Sequence, residues 1–327
     1  MGCAASSGAG ETTLSSPHGA SDEDGALTYN EALVFIKPHA ATKEAKEFVV
    51  EFLQDRGIEV LKEGKWLGPE IDKKGIIDEH YAHIAKIALK VDPADIVVTD
   101  EKKELFESTF GETWAQALDD GKLINLKTFE DEFTELTFSE INRLWLGDLQ
   151  KIKLAPGTYV GYFPDQDRYV MNPFYANMRA VYTNADAKVT YFVIRFKENN
   201  IPWKVFRSDI IGATDPAQAH ERSLRASMLA KYKALGLKSE PNTSDNGVHA
   251  SAGPFEGLKE RIVWTGAKIE TDLFGKELIA QGVSRALINS WLDNEVVTIN
   301  GETDHAFDLL EDLDSSKALE LALHASS

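Results

Sequence analysis

Cys3 is the only cysteine in this 327-residue chain, so no disulfide can form within it, and the surroundings it suggests are reducing. No apolar run approaches the roughly 20 residues that cross a bilayer. Basic residues are scarce: 35 Lys and Arg face 53 Asp and Glu, for a net charge of −18. That balance excludes the basic face that non-specific nucleic-acid binding needs. An anionic ligand would have to be held by a local cluster of Lys, Arg and backbone N–H groups, because the field of the whole protein repels it. Phosphate-binding glycine loops are missing in both forms, G-x-x-x-x-G-K-[ST] and G-x-G-x-x-G. So is the G-x-S-x-G elbow of serine hydrolases. His80 and His83 stand three apart with no Cys or further His in register, so no protein-held metal is expected.

What the chain does have begins at its first residues. MGCAAS fits the pattern for N-myristoylation at Gly2, with Ser6 in place and Cys3 as the natural palmitate acceptor. One myristoyl chain holds a protein only marginally, and a second signal is needed for long residence. Residues 1 to 30 contain no Lys or Arg and carry Glu11, Asp22, Glu23 and Asp24. The second signal therefore has to be the thiol, and the expected location is the cytoplasmic face of a membrane, plasma or ciliary. Residues 1–28, rich in Ala, Gly, Ser and Thr, read as a flexible acylated tail.

Order is expected from ALVFIK (32–37), a compact apolar run suited to a buried strand. KEAKEFVVEFLQDRG (43–57) keeps a 3-4 spacing at Ala45, Phe48, Val49, Phe52 and Leu53, with Gly57 as a helix stop. IEVLKEGKWL (58–67) predicts a second strand and KVTYFVIRF (188–196) a third. The stretch 90–158 is acidic and helix-prone. WKVFRSDI (203–210), RSLRASMLAKYKALGL (222–237) and PFEGLKERIVW (254–264) read as helices, the last opened by Pro254. Amphipathic stretches around 272–294 and 305–324 close the chain. With 85–170 set aside as a helical insertion, the order is strand, helix, strand, helix, strand, helix. This predicts an α+β fold, a ferredoxin-like antiparallel sheet with helices packed on it, over 29–264, followed by a helical extension over 265–327.

The motifs that carry chemistry are scattered but ordered. FIKPHAAT contains Lys37, DEHYAH contains Tyr81, and MNPFYANMRAVY contains Phe174 and Met178. GATDPAQAHERSLRAS contains Thr214 and Arg225, and NGVHAS contains Asn246, His249 and Ser251, with Glu260 eleven residues beyond the histidine. In this order they resemble the nucleoside diphosphate kinase family, with its I-K-P strand, E-H-Y, G-x-T-x-P, S-L-R and N-x-x-H-G-S segments and a later Glu. The resemblance covers about 30–84 and 171–264.

It implies that His249 carries phosphate between nucleotides as a phosphohistidine, with Glu260 fixing the ring through its other nitrogen. Lys37 and Arg225 would neutralise charge on the transferring oxygens, Thr214 would bond a phosphate, and Arg207 and Ser251 would also belong to the nucleotide site. Tyr81 would lie near the histidine, Asn246 and Lys37 would read the ribose, and Phe174 and Met178 would sandwich the base. Mg²⁺ would come bound to the nucleotide phosphates.

The chain departs from the family at several positions. I-K-P-D-G reads IKPHAA, and the residues flanking the histidine and serine are Ala250 and Ala252. The arginine expected four residues before Gly212 is displaced by one, to Arg207. NGVHAS has no apolar run around it and reads as a loop, and the run expected to form the last sheet strand is replaced by a helical pattern. The insertion and the extension are the expected surfaces for oligomerisation or for protein partners. Two functions follow: a membrane-tethered nucleoside diphosphate kinase, or a catalytically weak nucleotide-binding scaffold or sensor at a membrane or cilium.

Overall fold

A computed structural model describes residues 12–13, 28–293 and 295–326. Gly2 and Cys3, the expected acylation sites, and most of the expected tail lie outside the described residues. Among the described residues no helix is long and apolar enough to cross a membrane. The chain divides into two compact units, one formed by 1–67 with 188–327 and the other by 68–187.

The first unit is built on an antiparallel sheet. Its strands are, in spatial order, Thr12–Thr13, Glu59–Leu67, Lys188–Lys197, Tyr29–Ile36 and Val248–Ala250. Without the two-residue edge piece, chain order reads 2-3-1-4 across the sheet, the ferredoxin-like arrangement. The central strand Tyr29–Ile36 is apolar on both faces because both are covered. Ala32, Val34 and Ile36 enter one core with Val49 and Phe52 of the helix Lys43–Gln54 and with Phe206, Leu224 and Met228. Phe35 points the other way and stacks on Trp264 at 4.6 Å. The helix Pro254–Thr265 that carries Trp264 opens on Pro254 and stops at Gly266, whose φ of +71° favours glycine. The chain leaves the sheet at Leu67 and re-enters it at Lys188, two residues paired across the same ladder.

The C-terminal extension belongs to this unit. Helices Leu273–Ala280, Arg285–Leu292 and Ser315–Ala322 share a core with Phe255 and Leu258. The extension is not helical throughout, as the sequence predicts. A hairpin, Val296–Ile299 with Glu302–His305, turns at Asn300 and Gly301, both at positive φ. Its strands are four residues long, too short for periodicity to reveal.

The second unit also departs from an all-helical expectation. Its helices accompany a four-stranded mixed sheet of Leu123–Asn125, Arg168–Met171, Thr158–Phe163 and Lys151–Ala155, the first pair parallel. The acidic helical stretches around it masked KIKLAPGTYVGYF, where alternating burial and the Gly157 turn make a hairpin. Its boundaries, 68 and 187, also lie outside the expected 85–170 insertion.

Candidate active site

His249 does not lie in a loop. It is the middle residue of the edge strand Val248–Ala250, directly across from Phe35. Residues opposite each other in a ladder share a face, so its ring stacks on Phe35 at 4.7 Å. The same face receives the helix Pro254–Thr265, which presents Glu260. Nε2 of His249 lies 2.5 Å from Oε1 of Glu260. The other carboxylate oxygen accepts the Ser251 hydroxyl at 2.5 Å, and that hydroxyl accepts the Leu33 N–H at 2.8 Å. With Glu260 accepting at both oxygens, Nε2 is the protonated ring nitrogen and Nδ1 carries the lone pair, an assignment made from the hydrogen-bond network.

Burial holds the His249 pKa down to about 4, with the charges of Lys37, Arg225 and Arg207 acting in the same direction and Glu256 opposing them. The imidazole is therefore neutral at neutral pH. His249 lines a cavity of about 630 Å³ together with Arg207, Thr214, Arg225, Ala252 and Glu256. Glu256 is pushed up to about 7, chiefly by burial and then by Glu260; its carboxylate accepts the Ala252 N–H.

The cations whose charges act on His249 are held in different ways. Arg225 donates to the carbonyls of Gly212 (2.8 Å) and Val248 (3.0 Å), tying the turn before Thr214 to the strand of His249. Burial lowers its pKa to about 10, which leaves it charged at neutral pH. Lys37 donates to the Ser244 carbonyl at 3.1 Å. Its pKa is lowered to about 8, first by burial and then by Arg225, against Asp245.

Arg207 lies on Phe206–Ile211, which winds as a π-helix, with the Gly212 N–H bonded to the Arg207 carbonyl at 3.0 Å. A π-turn bonds five residues back instead of four. The Gly212 N–H thus reaches the carbonyl of Arg207 and not that of Ser208, which an α-helix would use.

The remaining expected residues divide. Asn246 is buried and donates to the Thr214 carbonyl at 3.0 Å, while its Oδ1 has no hydrogen-bond donor among the described residues. Ser251 was expected to bind nucleotide, but it is fully buried and holds Glu260. Tyr81, Phe174 and Met178 fall in the second unit. There Phe174 packs on Trp145 and Tyr159, each at 5.6 Å, and Tyr81 meets His80 edge-on at 4.5 Å. Met178 packs against the apolar cluster around Phe129 and Tyr175.

Sequence reasoning missed five contributors. Phe35 supports the histidine ring, and Glu256 faces the cavity. His39 stands where the family has Asp and accepts the Gly247 N–H at 3.1 Å, bracing the loop before His249. Glu311 and Asp312, from the extension, also line the cavity. For Glu256 the signal was its position four residues before Glu260, one helical turn away; the acids of the extension carried none.

No protein-family model and no curated protein matches the chain. Among solved structures it is similar to the nucleoside diphosphate kinase of Encephalitozoon cuniculi, at 14% identity, covering 76% of this chain and 99% of that one, with a TM-score of 0.35. The Aquifex aeolicus nucleoside diphosphate kinase matches at 13%, covering 72% and 94%, also at 0.35. A Borrelia burgdorferi nucleoside diphosphate kinase with bound vanadate and ADP matches at 14%, covering 73% and 88%, at 0.34. These values mark a distant likeness of folds; what the site does has to be read from its own side chains.

Proposed function

We propose that the first unit is a nucleoside diphosphate kinase-like phosphotransferase working through a phosphohistidine at His249. The observation that carries this reading is the His249–Glu260 pair. A neutral imidazole is fixed through Nε2 at the wall of a cavity, within the field of three cations, in a protein of net charge −18. Such a group is a nucleophile, and such a cavity attracts phosphate.

In the first step Nδ1 attacks the terminal phosphorus of a nucleoside triphosphate. The bond from phosphorus to the bridging oxygen breaks, and the diphosphate leaves with that electron pair. In the second step a terminal oxygen of another diphosphate attacks the phosphohistidine, and Nδ1 recovers its lone pair. Glu260 keeps the proton on Nε2 and stabilises the cationic ring formed in between. Lys37, Arg207 and Arg225 offset charge on the transferring oxygens. The carboxylates that line the cavity are already engaged, Glu256 by the Ala252 N–H and the acids of the extension by Arg207. That donor set suits a Mg²⁺ ion brought in on the phosphates, where it would neutralise their charge.

The motif at Gly2 and Cys3 supports tethering to a membrane by two acyl chains. Gly2→Ala should release the protein to the soluble fraction, and retention in the pellet through a high-salt wash would exclude an acyl anchor. A nucleotide-binding scaffold of low activity is the second reading, favoured by the pairing of Arg207 with two acids. Incubation with γ-labelled ATP and Mg²⁺ separates the two. The first reading requires an acid-labile, base-stable label that unlabelled nucleoside diphosphate discharges. Binding of ATP without such a label leaves only the scaffold.

A further inference from the structure

We infer that Glu311 and Asp312, from the C-terminal extension, are built into the candidate site as internal competitors for phosphate, holding Arg207 until a nucleotide displaces them. The inference rests on reading the cavity as a nucleotide site. Arg207 Nη1 donates to Glu311 Oε1 and to Asp312 Oδ1, each at 2.8 Å, and both acids line the same cavity as His249. Charge-assisted bonds of this length are what an arginine makes to a phosphate oxygen, so the two carboxylates occupy the donor that a phosphate would use.

The placement is enforced on both sides. The Asp312 N–H bonds to the Ala252 carbonyl at 3.0 Å, three residues after His249. Two residues on, Asp314 accepts the Trp203 N–H and the Asn30 side-chain amide, each at 2.7 Å. Trp203 starts the short helical segment that runs into the π-turn carrying Arg207. The acids and the arginine are thus pinned to the same framework. Asp312 has a φ of +61°, a backbone conformation that Asp and Asn tolerate better than other side chains.

With both acids on Nη1, that donor and the charge of the guanidinium are already engaged, so a bound nucleotide must displace the acids to use them. The extension would therefore set the threshold of nucleotide affinity, and anything that moved the segment containing Leu310, Glu311 and Asp312 would lower it.

The test uses the full chain with Glu311→Gln and Asp312→Asn combined. These changes keep shape, and the second suits the positive φ. MgADP binding by calorimetry should tighten by about 3- to 10-fold, the size expected when two partly exposed ion pairs no longer compete for Arg207. The gain should vanish when Arg207→Met is added. Without nucleotide, phenylglyoxal should modify Arg207 faster in the double variant than in wild type, read by peptide mass spectrometry. Unchanged or weaker MgADP binding, or a gain that persists with Arg207→Met, overturns the inference. A gain in affinity in a protein that never forms phosphohistidine would remove the transfer chemistry and leave the competition standing.

Discussion

Glu260 and Arg261 are neighbours on one helix and both are buried, yet they end in opposite kinds of site. Arg261 makes a two-pronged pair with Asp272, Nε to Oδ2 at 2.6 Å and Nη2 to Oδ1 at 2.8 Å, and also donates to the Glu31 carbonyl. Asp272 at the same time caps the helix Leu273–Ala280 through the N–H groups of Phe274 and Gly275. Every member of that cluster is satisfied inside the protein, and it joins the sheet to the extension. Glu260 instead faces a titratable ring that borders a cavity. Burial of a charge is common to the two; access to a ligand and a partner able to change protonation or bonding belong to one. A buried charge alone therefore identifies no function.

The comparison can be broken most sharply at the ring. His249→Ala should abolish covalent labelling from ATP while leaving the protein folded, with a loss of about 1–3 kcal/mol from removing the partner of buried Glu260. Label that survives this change would move the nucleophile elsewhere.

On the other side, Arg261→Leu should destabilise the fold by about 3–5 kcal/mol, the usual cost of leaving one buried partner uncompensated, measured by urea denaturation. Asp272→Asn added to it keeps the cap, removes the stranded charge and should recover part of that loss. An Arg261→Leu protein of wild-type stability would show that the two pairs differ less than their geometry suggests.

Glu260→Gln should slow labelling about 10- to 100-fold with a much smaller loss of stability, since it disturbs the orientation and charge of the ring and leaves the ring in place. Rapid labelling in that variant would reduce Glu260 to a packing role.

The smallest effect concerns pH. Glu256, with a pKa of about 7, gains negative charge as pH rises through that value, and Lys37, at about 8, loses positive charge just above it. Both changes disfavour phosphate, so MgADP affinity should fall by a few-fold between pH 6 and pH 9. Glu256→Gln should remove the lower step and keep the upper one. A profile in the variant identical to wild type would exclude Glu256 as its source.

The legible parts of the fold share a feature. The helix Lys43–Gln54, capped by the Thr42 hydroxyl and followed by Gly57 at φ +74°, follows from residues within a few positions of one another. So do the strands Tyr29–Ile36 and Lys188–Lys197, long enough for burial to leave a pattern. The edge strand was not legible, because three residues cannot show a period and its identity depends on pairing with Val34, Phe35 and Ile36. The sheet of the second unit was hidden for a related reason: Leu123–Asn125 pairs with Arg168–Met171, more than forty residues away.

The sequence by itself determined the net charge, the acylation motif, the ferredoxin-like order of elements and the set of side chains able to handle phosphate. These rest on residue identity and short spacing, which survive without coordinates. Only the tertiary structure decided that His249 sits on a strand against Phe35, that Ser251 holds Glu260, that Arg207 lies on a π-turn, and that this arginine meets an acid 105 residues away. Such contacts join segments whose local patterns are independent of each other, so no periodicity in either one encodes the meeting.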